Sequence, residues 1–353
     1  MWLKNTWYCA GHVAELDAPF VARSFLDIPV VMMRAADGRI AALEDVCPHR
    51  LMPLSQGKRV EDSLQCGYHG MRFMLDGACT EMPGQTHIPR AASVRTFPLV
   101  AKHNFLWIWL GDRELASPAL IPDVHWNDDP AWTPSRGYHH VKADFRLMND
   151  NLMDLSHETY VHQRTIGNEE EESIADYPVE VTVEGDRLVR AHREMNGIDP
   201  PPFFAMILNH KGPIDRWQTA INLAPGINMT DSAVRPAGTP REKAHIMHVM
   251  HLLTPETATT THYIWSISRN YTLEDTALSE AIRKAVEATF DEDGVVLEVQ
   301  QRQLERLGGN VPRVAMRLDE APLKARRLLE ALVQRESEQP GSVVEPMPLL
   351  VDF

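Results

Sequence analysis

The sequence predicts an α+β chain of two domains: an all-β N-terminal domain over residues 1–112, and a C-terminal domain over 145–338 that combines an antiparallel sheet with helices. Three observations predict it. Short apolar runs joined by Asp-Gly turns fill the first third. Polar–apolar alternation rich in Val, Ile and Thr recurs over 179–193 and 216–270, the pattern of half-buried strands. Helical spacing precedes those stretches and a long segment with few breakers follows them. A length of 353 residues fits two domains, each able to bury a core.

In chain order, Asp37-Gly38 lies between the apolar runs 29–33 and 40–43 and reads as a hairpin turn. Asp76-Gly77 does the same between 71–75 and the segment from Ala78. Residues 105–110 form a dense aromatic strand that Gly111-Asp112 stops, with Trp107 and Trp109 read as core. Residues 113–144 are the linker, and Pro118, Pro122, Pro130 and Pro134 make most of it irregular. Phe145, Met148, Leu152 and Leu155 recur at spacings of three and four, so a helix is expected from Phe145 to His162. The acidic run 169–172 reads as a solvated loop. Residues 200–204, three prolines and two phenylalanines, read as a stiff apolar loop bordering a pocket. Helices are expected over 274–307 and 323–335, and 339–353 is a C-terminal arm.

Composition narrows the function. A formal charge of −14 argues against a nucleic-acid partner, since phosphate binding needs a basic surface. Apolar runs such as 105–110 are too short to span a bilayer, and residues 1–5 lack a signal-peptide pattern. Cys9 and Cys79 read as free thiols in a reducing compartment, so a cytoplasmic location is expected.

Two stretches carry chemistry. Cys47-Pro48-His49 is followed, after sixteen residues, by Cys66-Gly67-Tyr68-His69. Zinc sites of two Cys and two His place like ligands together. Here each pair is mixed, which suits a two-iron cluster whose cysteines hold one iron and whose histidines hold the other. Pro48 and Gly67 stand where tight loops are needed. In this pattern residues 5–112 resemble the Rieske family, which implies a [2Fe-2S] Rieske cluster held by Cys47, His49, Cys66 and His69.

The second stretch is Asn151 to His162, with Asp154, His157 and His162. Two histidines and a carboxylate are the donor set of a mononuclear Fe(II) site with open positions. Residues five apart point about 140° apart on an α-helix, so His157 and His162 converge only if the helix is distorted or ends between them. For the third ligand the C-terminal helix offers Asp291, Glu292, Asp293 and Glu298. Gly294 costs about 1 kcal/mol against Ala inside a helix and is expected to permit local unwinding there.

With Asn5-Thr6-Trp7-Tyr8, Asp150 to Leu155, Pro201-Pro202-Phe203 and Leu253 to Thr257, the chain resembles the oxygenase component of Rieske non-haem iron oxygenases, in the vanillate and dicamba O-demethylase branch. The resemblance implies a helix-grip catalytic domain. It implies His157, His162 and Asp293 as ligands of a mononuclear Fe(II), with Asp154 bridging that site to a Rieske histidine. It also implies a homotrimer in which electrons cross between subunits, a flavin- or ferredoxin-type reductase partner, and O2 as co-substrate. The implied substrate is a small aromatic acid, vanillate-like, demethylated to a phenol plus formaldehyde. Hydroxylation of a methyl or ring carbon, as in the toluenesulfonate-type relatives, is the alternative. His251 matches a substrate-contacting position of the dicamba-type relatives. Lys284 stands where they carry a tryptophan, a departure from the pattern. Arg216 and Arg269 are candidate partners for a substrate carboxylate, although surface positions are the ordinary expectation for arginine.

Overall fold

A computed structural model describes residues 2–167, 173–308 and 314–350. The acidic run 169–172 lies outside them. The N-terminal part holds β1 (Trp7–His12), β2 (Val21–Phe25), β3 (Ile28–Arg34), β4 (Ile40–Glu44), β5 (Lys58–Val60), β6 (Ser63–Gln65), β7 (Arg72–Met74), β8 (Cys79–Glu81), β9 (Thr96–Phe97), β10 (Leu99–Lys102) and β11 (Phe105–Trp109). They form three small antiparallel sheets, ordered β1-β11-β10, β2-β3-β4-β9 and β5-β6-β7-β8. Both Asp-Gly pairs sit in turns, with φ of +89° at Gly38 and +81° at Gly77. The cluster of apolar side chains around Cys47 and Cys66 draws only on residues between Phe20 and Val94.

The C-terminal part contains a seven-stranded antiparallel sheet. Its strands are β12 (Thr133–Val141), β13 (Glu180–Glu184), β14 (Leu188–Ile198), β15 (Ile214–Leu223), β16 (Ile227–Pro236), β17 (His245–Thr257) and β18 (Thr260–Arg269). The order is β12-β18-β17-β16-β15-β14-β13. Helices α1 (Phe145–Met153), α2 (Glu158–Val161), α3 (Pro202–Leu208), α4 (Thr276–Arg306) and α5 (Glu320–Glu338) accompany it. Side chains alternate across each strand, so the sheet serves two cores. One face packs with Phe145, Met148, Phe203, Phe290 and Leu297 of the helices. Met250, Leu252 and Ile264 on the other face join Trp7, Trp107 and Trp109 of the N-terminal part.

Backbone hydrogen bonds fasten that second contact. Leu26 and Asp27 N–H donate to the carbonyls of Pro255 and Glu256, each at 2.9 Å. The Thr254 hydroxyl donates to the Cys9 carbonyl at 2.6 Å.

Four local expectations differ from the structure. The linker stretch 113–144 ends in β12, an edge strand, where Pro134 is tolerated because only one side of the strand is paired. The expected helix 145–162 breaks at Asp154. Residues 202–204 open helix α3, with Pro202 at its first turn, where the missing N–H costs nothing. Helix α4 runs unbroken through Gly294, where an added Cβ would meet nothing within 4 Å.

A buried amide network docks α1 on the sheet. Asn149 Nδ2 donates to the Pro225 carbonyl at 2.9 Å, and its Oδ1 accepts from Asn228 at 2.7 Å and Asn222 at 3.4 Å. All three asparagines are buried. Asn149→Ala orphans donors that no water can reach, at about 2–4 kcal/mol for the set. Thermal unfolding should begin several degrees lower in this variant, while the visible absorption of the N-terminal metal cluster stays unchanged. An unaltered unfolding profile would show that the network does not dock α1.

Candidate active site

The two Cys/His loops repeat one backbone device. Cys47 N–H donates to the Met52 carbonyl and Cys66 N–H to the Met71 carbonyl, both at 2.8 Å. The residue four beyond each cysteine donates back to that cysteine's carbonyl: Leu51 at 2.9 Å and Gly70 at 3.1 Å. Both adopt positive φ, +58° and +77°. The left-handed residues are therefore Leu51 and Gly70, not Pro48 and Gly67. Gly67 answers a different need, since a Cβ there would lie 2.8 Å from the Gln56 carbonyl oxygen of the adjoining loop.

This geometry buries both cysteines and leaves both histidines exposed, with ring centroids 4.5 Å apart. Burial, together with the neighbouring Cys66, raises the Cys47 thiol, so binding iron there displaces protons. Two buried sulfurs facing two exposed imidazoles fit a cluster with one iron inside the loops and one at the surface.

The second site starts at the helix break. Asp154 leaves helical geometry (φ −119°, ψ 89°), and its side chain accepts from the Ser156 N–H at 3.0 Å and hydroxyl at 2.6 Å. Asp-x-Ser thus caps a single 3-10 turn, an alternative to the helix that short polar side chains offer. His157 precedes α2 and His162 follows it, so their rings meet with centroids 5.2 Å apart. Between them Glu158 points into the sheet. It is buried and bonded to Arg216 at 2.8 Å and to Gln218 at 3.3 Å.

Helix α4 supplies Asp293. Its Oδ1 lies 3.3 Å from His157 Nε2 and 3.2 Å from His162 Nε2, and accepts from Asn151 Nδ2 at 3.0 Å. These donor atoms of His157, His162 and Asp293 all lie within 4.8 Å of one another. Among the described residues no other such group of three gathers. The far nitrogens are occupied: His157 Nδ1 by the Asp154 carbonyl at 2.6 Å, His162 Nδ1 by Glu292 at 2.8 Å. Burial raises the Asp293 carboxyl, but the two histidines outweigh it and hold the group well below the usual carboxylate range. Burial likewise pulls His162 down, yet Asp293 and Glu292 lift it to about 9. A divalent cation would replace these protons and satisfy the same anion.

The three consecutive acids of α4 take three partners. Asp291 lies 3.2 Å from His139 Nε2, Glu292 meets His162 Nδ1, and Asp293 faces both Nε2 atoms. Glu298 turns away to cap the Lys142 N–H at 3.1 Å.

His251 is buried on β17, bonded to Tyr263 at 2.6 Å and Thr230 at 3.2 Å, with the Phe290 ring 5.3 Å away. Burial lowers it to about 3, so it is neutral at physiological pH. Arg216 and Arg269 are not surface residues. Arg216 pairs with Glu158, and Arg269 is spent on the Ser279 hydroxyl and the carbonyls of Tyr271, Thr272 and Asp275. Lys284 is exposed beside Glu280.

Asp154 opens on a cleft of about 730 Å³, lined also by Leu155, Tyr177, Arg193, Gln218 and Met316. Arg193 is buried there, and its Nε has no partner among the described residues. Sequence reasoning missed Asn151, Glu158 and Arg193, which lack any spacing signal. Glu292 was visible only as one acid among four.

Two family models match the chain: the Rieske [2Fe-2S] domain over residues 6–98, and the vanillate O-demethylase oxygenase C-terminal domain over 141–335. A vanillate O-demethylase oxygenase subunit of a Pseudomonas species is 40% identical over 87% of this chain and 94% of its own. A putative toluene-4-sulfonate monooxygenase system iron-sulfur subunit of Comamonas testosteroni is 37% identical over 96% and 99%. The crystal structure of dicamba monooxygenase bound to 3,6-dichlorosalicylic acid superposes with a TM-score of 0.90 at 35% identity, covering 96% of this chain and 99% of that one. No described helix is long and apolar enough to cross a membrane. The α+β fold with its β-rich Rieske domain and large antiparallel sheet thus has solved counterparts, and the chain belongs to the vanillate O-demethylase oxygenase family, the oxidoreductase components that join a Rieske [2Fe-2S] domain to an oxygenase domain.

Proposed function

We propose that this chain is the oxygenase component that O-demethylates a methoxylated aromatic acid, vanillate-like, to the phenol plus formaldehyde. O2 is the co-substrate, and a flavin- or ferredoxin-type reductase supplies the electrons. The observation that carries this is the convergence of His157, His162 and Asp293 in a chain that also holds the paired Cys/His loops. In this reading Cys47, His49, Cys66 and His69 hold the cluster, and His157, His162 and Asp293 hold a mononuclear Fe(II). Iron bound there supplies reductive activation of O2 with electrons relayed from the cluster.

The chain's own residues do the positioning. Asp154 and Glu292 fix the far nitrogens of the two histidines, so each Nε2 faces inward. Asn151 keeps the Asp293 carboxylate turned toward them. His251 is neutral, with Nδ1 bonded to Tyr263 and Nε2 to Thr230, so a substrate that it recognises would replace the longer Thr230 bond and meet no charge. Arg216 and Arg269 are committed elsewhere, so a substrate carboxylate does not rely on them. Cys9 and Cys79, both free thiols, fit a cytoplasmic setting.

The cleft at Asp154 supports a homotrimer in which the exposed His49 and His69 of one subunit meet Asp154 of the next. A ring of that kind uses one heterologous contact repeatedly and closes at three. Arg193 beside Asp154, whose Nε has no partner among the described residues, suits a second polar contact at the same place.

Hydroxylation of a methyl or ring carbon is the second reading, favoured by the 37% identity to the toluenesulfonate-system subunit. The two readings differ in product. Supplied with a reductase, the chain should convert methoxybenzoates with one formaldehyde released per O2 consumed. Methyl- and sulfonate-substituted analogues offered beside them should react poorly; their conversion to hydroxymethyl products without formaldehyde would select the second reading instead, and no product from any aromatic acid would reject the substrate class.

Iron content separates the two centres. The loaded chain should carry three irons. His157→Ala, His162→Ala and Asp293→Ala should each keep two, retain the Rieske absorption and lose turnover. A variant that keeps the third iron would remove that residue from the ligand set.

Asp154→Asn should retain both centres yet slow single-turnover electron transfer by more than tenfold. Wild-type rates in that variant would contradict the bridge, and full activity of a dilute monomer would contradict the trimer.

A further inference from the structure

We propose that Glu292 is a positioning residue for the mononuclear centre, and that it makes His162 a stronger ligand than His157. The inference rests on the iron-binding reading above. His162 is 1% exposed, so water offers its Nδ1 no alternative partner. Glu292 Oε2 lies 2.8 Å from that nitrogen, and the Thr165 hydroxyl donates to the same oxygen at 3.2 Å. The Thr165 N–H in turn donates to the His162 carbonyl at 2.9 Å. Imidazole, carboxylate and hydroxyl therefore form one closed set on the side of His162 away from Asp293.

The geometry leaves Glu292 no second role at the metal. Successive residues on α4 point about 100° apart. Asp293 occupies the direction that faces both Nε2 atoms, and Glu292 reaches the opposite edge of the His162 ring. With its Nδ1 proton donated to Glu292, His162 must present Nε2 as the lone-pair nitrogen.

His157 is held differently, by the neutral carbonyl of Asp154. A carboxylate is the stronger acceptor. It draws the Nδ1 proton further and makes the opposite nitrogen more basic, as outer partners of metal-bound histidines do. Two chemically identical ligands thus become unequal through what stands behind them.

The test uses the full chain carrying its Rieske cluster, with Fe(II) added against a competing chelator and nitric oxide as a spectroscopic probe. Glu292→Gln keeps an acceptor and removes the charge, and Glu292→Ala removes both. Fe(II) affinity is expected to fall about tenfold in the first and up to about 100-fold in the second. The EPR spectrum of the ferrous centre with nitric oxide should change in both and return partway in Glu292→Asp. The Rieske absorption should stay constant and report an intact fold. Wild-type affinity and an unchanged spectrum in both the Gln and Ala variants would overturn the inference. Loss of the third iron as complete as in Asp293→Ala would overturn it too, by making Glu292 a ligand. A wild-type chain that binds no third iron would overturn the underlying function as well, and is told apart because it appears before any substitution.

Discussion

Two imidazoles five residues apart point about 140° apart on a straight helix, so the oxygenase half depends on the 3-10 turn that follows the break at Asp154 and ends at His157, and on the end of α2 at His162. One aspartate makes the break and uses it. Its side chain caps the 3-10 turn, and its carbonyl takes the Nδ1 of His157. A broken helix inside a packed layer leaves backbone groups without their usual partners, so neighbouring residues must hold it rigidly. Asn149 anchors the helix before the break, and Glu158 anchors the turn after it. Glu158 and Arg216 are both almost fully buried. Such a pair adds little net stability, because desolvation offsets its attraction. Its effect here is geometric: it ties the turn between His157 and His162 to the sheet at Arg216 and Gln218.

Helix α4 answers with regularity. It runs unbroken over thirty-one residues, and three consecutive acids spread around its axis to meet three different histidines. An unwound helix at Gly294 would have blurred those directions. The burial of Asp293 also matters. A carboxylate there would be costly alone, but the two imidazoles more than compensate, and a cation would do so more completely.

How far the sequence reveals all this depends on the range of each interaction. The Cys/His loops were legible because ligand spacing and turn chemistry are local: the paired hydrogen bonds at Cys47 and Cys66 span five residues. The sheet was legible from alternation, and the helices from spacing. A departure from straight helix was legible as a requirement, since His157 and His162 could not otherwise converge, but its form, a 3-10 turn ending at His157 and a helix end at His162, was not. β12 was hidden because three prolines crowd the stretch before it and the edge strand itself tolerates a fourth, Pro134. Arg216 and Arg269 were misplaced because arginine is usually exposed, and their partners lie 58 residues back and in the turn after β18. The choice of Asp293 over Asp291 and Glu292 needed the family pattern, because only the placement of α4 beside β12 and the His157–His162 turn gives the three acids different partners.

In the proposed mechanism Asp154 would join the two halves through its own covalent frame. Its carboxylate looks into the cleft, and its carbonyl holds a nitrogen of His157, so a group that bonds the first is separated from the second only by the residue's own bonds. Any shift of Asp154 moves the acceptor that orients His157, whereas His162 answers to Glu292 on another helix. The centre is therefore asymmetric by construction, with one histidine tied to the cleft and the other tied to α4. Among the described residues the Nε of the buried Arg193 in that cleft has no partner, a state that an acceptor from outside would relieve. If the proposed trimer docks at that cleft, docking and the orientation of His157 would draw on the same few atoms, and electron entry and ligand geometry would be interdependent.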